Sequence, residues 1–338
     1  TLELFHGPTM AFKDVGARFM ARCLGYFNKN NDHDVTVLVA TSGDTGGAVA
    51  NGFLDVKGVH VVILYPSGKV SDIQEKQLTT HQKNITALEV DGVFDDCQDM
   101  VKQAFLDKEL TSQLQLTSAN SINVARWLPQ MFYFIFAYKR LKSQHNHISF
   151  SIPSGNFGNI CAGMMLQKLG VPIQHFIASN NVNNVVTQYL QTEIYNPKSS
   201  IQTISNAMDV GNPSNFIRIQ EIYGNDFHNL KQHLSSFSYS DAMTQDAMRE
   251  LYEDFNYVAD PHGAIGYLGA KDYLKLNPNT HCVFLETAHP TKFLNVVEDV
   301  IQKKLELPEQ IKSVIHKKKS SINICQYSEL KSFLLNNL

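Results

Sequence analysis

The chain has 338 residues, of which 43% are apolar and 18% are charged, and its formal net charge is −3. This length and composition are typical of a folded protein of about two domains and exclude intrinsic disorder. Nucleic acids and anionic membrane surfaces attract proteins with a basic excess, so we expect neither as a partner. No apolar run approaches the roughly 18 residues that span a bilayer. The five cysteines have no CxxC or CxxH spacing, which disfavours disulfides and structural zinc, and we predict a cytoplasmic protein.

The chain begins at Thr1 and reaches its first unusual residues, those from His6 to Thr9, within ten positions. Folded domains seldom place such residues at a terminus, because termini fray. We therefore expect that a further segment precedes Thr1.

Much of the chain repeats one pattern, in which a β-branched strand is followed by a loop of small residues and a helix. Strands are predicted at 35–40, 59–65, 85–90, 147–152, 171–178 and 282–286. Helices are predicted at 48–54, 71–82, 94–110, 121–141, 160–169, 214–223 and 240–254. Ser71 is the expected N-cap of its helix, and Pro129 is expected to kink or interrupt the 121–141 helix. This alternation predicts βαβ crossovers and an α/β fold with mostly parallel sheets.

Lys13 lies between Phe12 and Asp14, shortly after the unusual residues near the start. Most lysines are simply solvated, and that interpretation stays open. A buried lysine amine, in contrast, has a lowered pKa and can act as a nucleophile that forms a Schiff base.

Two glycine-rich loops each follow a predicted strand and precede a predicted helix. Residues 154–159 carry two glycines and two asparagines, which favours an anion site at a helix N-terminus over a plain turn. Residues 41–47 offer a second set of donors, for which a carboxylate or phosphate site and a plain turn are equally open. The motifs GxxxxGK[ST] and GxGxxG do not occur, so nucleotide and dinucleotide sites are disfavoured.

Two further segments carry candidate binding groups. In residues 118–126 a polar cap leads into a helix, and Arg126 either faces solvent or points at an anion. Residues 286–293 follow a predicted strand at its carboxyl end, where ligands bind in α/β folds. A threonine hydroxyl there either bonds to a ring nitrogen or belongs to a plain turn.

Together these segments resemble threonine synthase, a pyridoxal-phosphate enzyme family of the tryptophan-synthase β fold type, which is fold type II. The matching motifs, in family order, are residues 4–14, 40–46, 66–71, 118–123, 153–159, 205–210 and 287–290. The resemblance covers essentially the whole chain. It is closest to the longer bacterial and fungal subgroup, whose members carry a further N-terminal domain before the lysine segment.

The resemblance implies two open, twisted, mostly parallel sheets flanked by helices. Residues 1–24 and 131–338 would form a large α/β domain that binds the cofactor pyridoxal 5′-phosphate. Residues 25–130 would form a smaller, mobile α/β domain, with the cofactor between the two and closure excluding water.

The resemblance also assigns roles to individual residues. Lys13 would hold the cofactor covalently and later move protons. The cofactor phosphate would be gripped by Gly155, Asn156, Phe157, Gly158 and Asn159, and the pyridine nitrogen would bond to Thr287. The amino-acid end of the substrate would be lined by Ser42, Gly43, Asp44 and Thr45. The substrate phosphate would be bound by Asn120, Ser121 and Arg126, together with Thr45. Asp44 replaces the asparagine of the shorter subgroup.

The implied reaction of threonine biosynthesis is that of a carbon–oxygen lyase. Phosphate is eliminated from O-phospho-L-homoserine, and water adds at Cβ to give L-threonine. A phospho-lyase, or a threonine or serine dehydratase that releases a 2-oxo acid on the same fold, is the nearest alternative. The residues from Asn120 to Arg126 argue against a dehydratase, because an unphosphorylated substrate needs no second anion site. A non-enzymatic ligand-binding protein is the distant alternative, and the sequence leaves the oligomeric state open.

Overall fold

The computed structural model describes residues 1–30 and 33–338, which form two compact units. The first unit comprises Thr1–His6 and Trp127–Glu306, and the second comprises Gly7–Arg126 and Leu307–Leu338. In the described part of the chain, no helix is both long enough and apolar enough to cross a membrane. Among the same residues, no group of three or more His, Cys, Asp or Glu side chains could hold a metal ion.

The strands, in chain order, are β1 (Leu2–Glu3), β2 (Val35–Ala40), β3 (Val59–Pro66), β4 (Ile85–Val90), β5 (Gln115–Ser118), β6 (Ile148–Pro153), β7 (His175–Asn180), β8 (Leu234–Ser238), β9 (His281–Glu286) and β10 (Ile322–Ile324). The helices up to residue 168 are α1 (Lys13–Phe27), α2 (Asp44–Phe53), α3 (Asp72–Thr79), α4 (Phe94–Leu106), α5 (Lys108–Gln113), α6 (Val124–Trp127), α7 (Met131–Leu141) and α8 (Gly158–Lys168). The later helices are α9 (Val185–Thr192), α10 (Phe216–Ile222), α11 (Phe227–His233), α12 (Asp241–Phe255), α13 (Pro261–Leu276), α14 (Leu294–Ile301), α15 (Glu309–Ile315) and α16 (Tyr327–Asn337). Short 3₁₀ helices lie at Leu128–Gln130, Asn206–Met208 and Pro290–Phe293.

The sheet of the first unit has the strand order β1-β9-β6-β7-β8, with every pair parallel. From β6 the chain places β7 and β8 on one side and then returns to place β9 on the other. The strand order therefore reverses between β6 and β9, and the carboxyl ends of these two strands are neighbours. Ligands of open α/β sheets bind at such a switch point.

The sheet of the second unit has the order β10-β4-β3-β2-β5 and is likewise parallel throughout. Here β3 and β4 lie on one side of β2 and β5 lies on the other, so the switch point lies between β2 and β5. All six residues of β2 are buried, as expected for a strand covered on both faces. Helices α1 and α2 pack on one face of this sheet, and α4, α5 and α16 pack on the other.

The predicted α/β fold with two mostly parallel sheets is confirmed, and strands 35–40 and 85–90 have the predicted bounds. Ser71 caps its helix as predicted, through a capping box with Gln74. Near Pro129 the predicted long helix is interrupted by a 3₁₀ turn between α6 and α7. The single helix predicted at 94–110 is wrong, because Asp107 ends α4 and caps α5 by accepting from the amides of Glu109 and Leu110. The strand predicted at 171–178 begins only at His175.

The bounds of the two compact units differ from those predicted for the two domains. Residues 7–24 belong to the second unit because the apolar face of α1, with Ala17 and Met20, packs into one core with Phe53 of α2. The last 32 residues, Leu307–Leu338, also belong to it, since β10 pairs with β4 and Leu330 of α16 is buried in the same unit. The predicted movement of a smaller domain stays a prediction.

Candidate active site

The predicted phosphate loop lies at the switch point of the first sheet, directly after β6. Phe157 adopts a left-handed conformation (φ 61°) and precedes α8, which begins without a side-chain cap. The loop is held by neighbouring backbone and side-chain groups: Asn156 Oδ1 accepts from the Ser214 amide at 2.6 Å, and Asn159 Nδ2 donates to the Pro153 carbonyl at 2.9 Å. The Ile160 amide donates to Asn159 Oδ1 at 2.9 Å, and the first turn of a helix is in general a place where amides can bind an anion.

The left-handed turn of this loop is not made by a glycine. Among the described residues, glycines with positive φ lie at 43, 58, 68, 170 and 224, and neither Gly155 nor Gly158 is among them. Phe157 makes the left-handed turn instead. Gly155 is required by close packing, because a Cβ there would lie 2.8 Å from the Ala207 oxygen and 2.8 Å from Met208 Cα.

Thr287 immediately follows β9, the strand next to β6 at the switch point, and is 5% exposed. The register Ser151↔Phe284 brings the carboxyl ends of β6 and β9 level with each other. The structure therefore brings Thr287 and the 154–159 loop to one edge of one sheet.

The predicted substrate loop lies at the switch point of the second sheet, after β2. Thr41 Oγ1 accepts from the amides of Gly43 at 2.9 Å and Gly46 at 2.8 Å, so the turn is closed by its own residues. Gly43 has φ 131°, a conformation that L residues with a Cβ rarely adopt. Since the Gly43 amide is already bonded, the donors left for a ligand include the half-buried hydroxyls of Ser42 and Thr45.

Asp44 and Asn120 are held by contacts that local sequence patterns do not reveal. The fully buried Gln74 donates from Nε2 to Asp44 Oδ1 at 3.0 Å and accepts from the Ser71 amide through Oε1 at 3.1 Å. Asn120 uses its side-chain amide like a short piece of strand: Oδ1 accepts from the Ala40 amide at 3.0 Å, and Nδ2 donates to the Ala40 carbonyl at 2.6 Å. The loop after β5 is thereby joined to the end of β2.

Lys13 is the first residue of α1 and is half-buried as a whole residue, between the solvated and the buried alternatives. Its Nζ lies 5.8 Å from the centroid of the Phe12 ring. The adjacent Asp14 is buried and accepts from the amide and the hydroxyl of Thr9, at 2.9 and 2.5 Å. The backbone that carries Lys13 is therefore fixed at the start of α1.

Arg126 is 3% exposed, which excludes the solvent-facing alternative. Its Nη1 donates to the Ala119 carbonyl, in the loop that also carries Asn120 and Ser121. Burial lowers the pKa of the Arg126 guanidinium to about 10, and the nearby Asp14 charge acts in the opposite direction. The guanidinium is thus charged at neutral pH and belongs to the same unit as Lys13 and the 41–45 loop.

Two family models match this chain: "Pyridoxal-phosphate dependent enzyme" over residues 2–287 and "Threonine synthase, C-terminal" over residues 263–333. The threonine synthase of Buchnera aphidicola subsp. Acyrthosiphon pisum is 46% identical over 335 residues, which cover 98% of this chain and 77% of that relative. The chain belongs to the threonine synthase family. The solved threonine synthase of Escherichia coli is similar with a TM-score of 0.94 at 43% identity, covering all of this chain and 78% of that one. A threonine synthase from Brucella melitensis with bound pyridoxal phosphate has a TM-score of 0.89 at 32% identity, covering 98% and 77%.

The chain is accordingly a pyridoxal-phosphate-dependent lyase with threonine synthase activity. This outcome sets aside the dehydratase, phospho-lyase and binding-protein alternatives. The residues present fit the cofactor: the start of α8 after the 154–159 loop suits a phosphate, and a buried threonine lies at the neighbouring strand end. The roles predicted for the individual site residues stay predictions.

Proposed function

We propose that the chain converts O-phospho-L-homoserine and water into L-threonine and phosphate. One observation carries the choice of a phosphorylated substrate: the buried guanidinium of Arg126, in α6, donates to the Ala119 carbonyl, next to Asn120, which bonds to Ala40 at the end of β2. A charged arginine is a side chain that suits a phosphate monoester.

When bound, pyridoxal phosphate supplies an electron sink that acidifies the carbon-bound protons of an amino acid. Lys13 is the proposed covalent attachment point and proton carrier. Its Nζ takes the proton from Cα of the substrate and passes it on, and then takes the proton from Cβ as phosphate leaves from Cγ. A proton is then delivered to Cγ, water adds its hydroxyl at Cβ and gives its remaining proton to solvent, and a proton returns to Cα. One amine on a fixed helix start serves both carbons economically.

The loop from Gly155 to Asn159, together with Thr287, is proposed to orient the cofactor from the first unit. The loop amides bind an anion, while the Thr287 hydroxyl bonds to the ring nitrogen. A neutral hydroxyl at that nitrogen leaves it less protonated than a carboxylate would. This favours elimination and replacement over transamination.

In the second unit, the substrate's amino-acid end is proposed to lie against residues 42–45, and its phosphate against Asn120, Ser121, Arg126 and Thr45. The Asn120 amide positions the two loops through Ala40, so its main contribution is to fix the distance between them. Asp44 is held by Gln74, which restrains the start of α2. The phosphate is also the leaving group, so contacts to it act on the chemical step as well as on binding.

The test is incubation of the holoenzyme with O-phospho-L-homoserine, measuring threonine, phosphate and 2-oxobutyrate. We expect threonine and phosphate in equal amounts, and no product from unphosphorylated homoserine. Release of 2-oxobutyrate with phosphate would instead show that water does not add at Cβ. A cytoplasmic location stays a prediction.

A further inference from the structure

A line of buried hydrogen bonds joins the end of β9 to the turn at Asn206–Met208. Glu286 Oε1 accepts from the Asp260 amide at 2.8 Å, and Asp260 Oδ1 lies 2.5 Å from His262 Nδ1. His262 Nε2 then accepts from the Ala207 amide at 3.2 Å. The three side chains are between 0% and 3% exposed, so water does not compete for these bonds.

The bonding partners determine the tautomer of His262. The Ala207 amide can only donate, so Nε2 must accept from it. A neutral imidazole then carries its hydrogen on Nδ1 and donates it to Asp260. Asp260 is itself fixed, because it caps α13 by accepting from the amides of His262 and Gly263. The imidazole is therefore held at both ring nitrogens.

The turn that His262 holds is the surface on which the 154–159 loop rests. A Cβ at Gly155 would come within 2.8 Å of both the Ala207 oxygen and Met208 Cα. Backbone thus lies on backbone with no side chain between, and a displacement of the turn passes directly to the loop. At the other end of the line, Glu286 immediately precedes Thr287.

We propose that His262 is a positioning residue for the cofactor, and that it holds the phosphate loop through Ala207 while Asp260 and Glu286 orient it. The inference rests on the proposed function, since it takes residues 155–159 as the phosphate loop. Burial and the neighbouring Asp260 raise the pKa of Glu286 well above its ordinary value. The charged form of this carboxylate is therefore costly to bury beside Asp260. An apolar trio would cost less to bury but would leave the orientation of the turn undefined.

The decisive variant is His262→Phe, which keeps a buried ring and removes both hydrogen bonds. The affinity of the cofactor-free chain is measured for pyridoxal phosphate and for pyridoxal, which lacks only the phosphate. We expect the dissociation constant of pyridoxal phosphate to rise on the order of tenfold, as for the loss of a buried hydrogen-bond partner. The value for pyridoxal should change less than twofold, because its contacts do not include the phosphate loop.

His175→Phe is the matched control. His175 is also buried in the first unit, with Nδ1 3.2 Å from the Gln232 carbonyl and Nε2 2.8 Å from Ser235 Oγ, and it stacks on Tyr273. This variant loses a comparable pair of bonds at a distance from the loop. It should leave the ratio of the two affinities unchanged even if it unfolds at a lower temperature.

Two further variants keep the inference testable if His262→Phe does not fold. His262→Gln retains an acceptor near the Nε2 position and should restore most of the affinity for pyridoxal phosphate. Asp260→Asn retains the oxygen that caps α13 and should weaken pyridoxal-phosphate binding about two- to threefold, again without an effect on pyridoxal. An unchanged affinity ratio in the folded variants, or equal losses for both ligands, would overturn the inference. These binding measurements do not depend on turnover, so they remain valid even if the wild-type chain makes no threonine.

Discussion

Replacement of Gly155 by alanine tests whether the 154–159 loop binds the cofactor phosphate. The added Cβ would lie 2.8 Å from two backbone atoms, the Ala207 oxygen and Met208 Cα. Ordinary contacts between such atoms are about 3.5–4 Å. Because neither atom belongs to a flexible side chain, the loop and the 206–208 turn must move apart by about 0.7 Å or more.

The expected magnitude follows from the cost of overpacking a tight site, about 1–3 kcal/mol. If the loop itself moves, this free energy is lost from phosphate binding. The dissociation constant for pyridoxal phosphate should then rise roughly 5- to 150-fold, since 1.4 kcal/mol corresponds to a factor of ten. Gly155→Val, with a larger side chain, should have a greater effect.

The assay is titration of the cofactor-free variant with pyridoxal phosphate, followed by visible absorbance, with thermal unfolding measured in parallel. Gly163→Ala provides the control. Gly163 lies within α8, where a Cβ would meet the rings of Phe176 at 2.7 Å and Phe134 at 3.0 Å. That variant is overpacked to a similar degree but does not touch the loop, so it should lower stability and leave cofactor affinity unchanged.

The reasoning would be refuted by a Gly155→Ala variant that binds the cofactor as tightly as the wild type. The loop would then be only a turn between β6 and α8. Equal losses of affinity in the Gly155 and Gly163 variants would also count against it, since the effect would then come from general destabilisation.

Three further predictions concern single side chains. Lys13→Ala should abolish turnover and borohydride trapping of the cofactor, and trapped cofactor in that variant would contradict the assignment of the attachment residue. Arg126→Ala should retain the cofactor absorbance and lower kcat/KM for O-phosphohomoserine. It should also reduce the free energy of unfolding by about 1–3 kcal/mol, because it leaves the buried Ala119 carbonyl unpaired. A free energy of unfolding equal to that of the wild type, measured by urea denaturation, would contradict the buried position of Arg126. Burial lowers the pKa of His175 to about 4 in the folded chain, whereas its pKa in the unfolded chain is about 6.5. Between these two pH values the unfolded chain binds more protons than the folded chain. The free energy of unfolding should therefore fall as the pH drops from about 6.5 to 4. His175→Phe should flatten that part of the stability profile, and an unchanged slope would refute the shift.

Local patterns predicted much of the fold, because apolar periodicity and capping act between residues close in sequence. The strands at 35–40 and 85–90 are continuous apolar or alternating runs, and Ser71 with Gln74 forms the capping box that such spacing indicates. Short strands with mixed patterns were missed. β5 and β10 are only four and three residues long, and their place in the sheet depends on pairing with β2 and β4.

The sequence by itself determined the α/β class, the loops at strand ends and the residue types for a phosphate-bearing cofactor and substrate. Only the tertiary structure decided the strand order, and with it which loops meet at the switch points between β6 and β9 and between β2 and β5. It also decided that Asn120 pairs with Ala40, 80 positions away, and that His262 supports the turn at Ala207. Such contacts depend on how whole strands and helices pack. The spacing of residues along the chain does not predict which distant segments become neighbours.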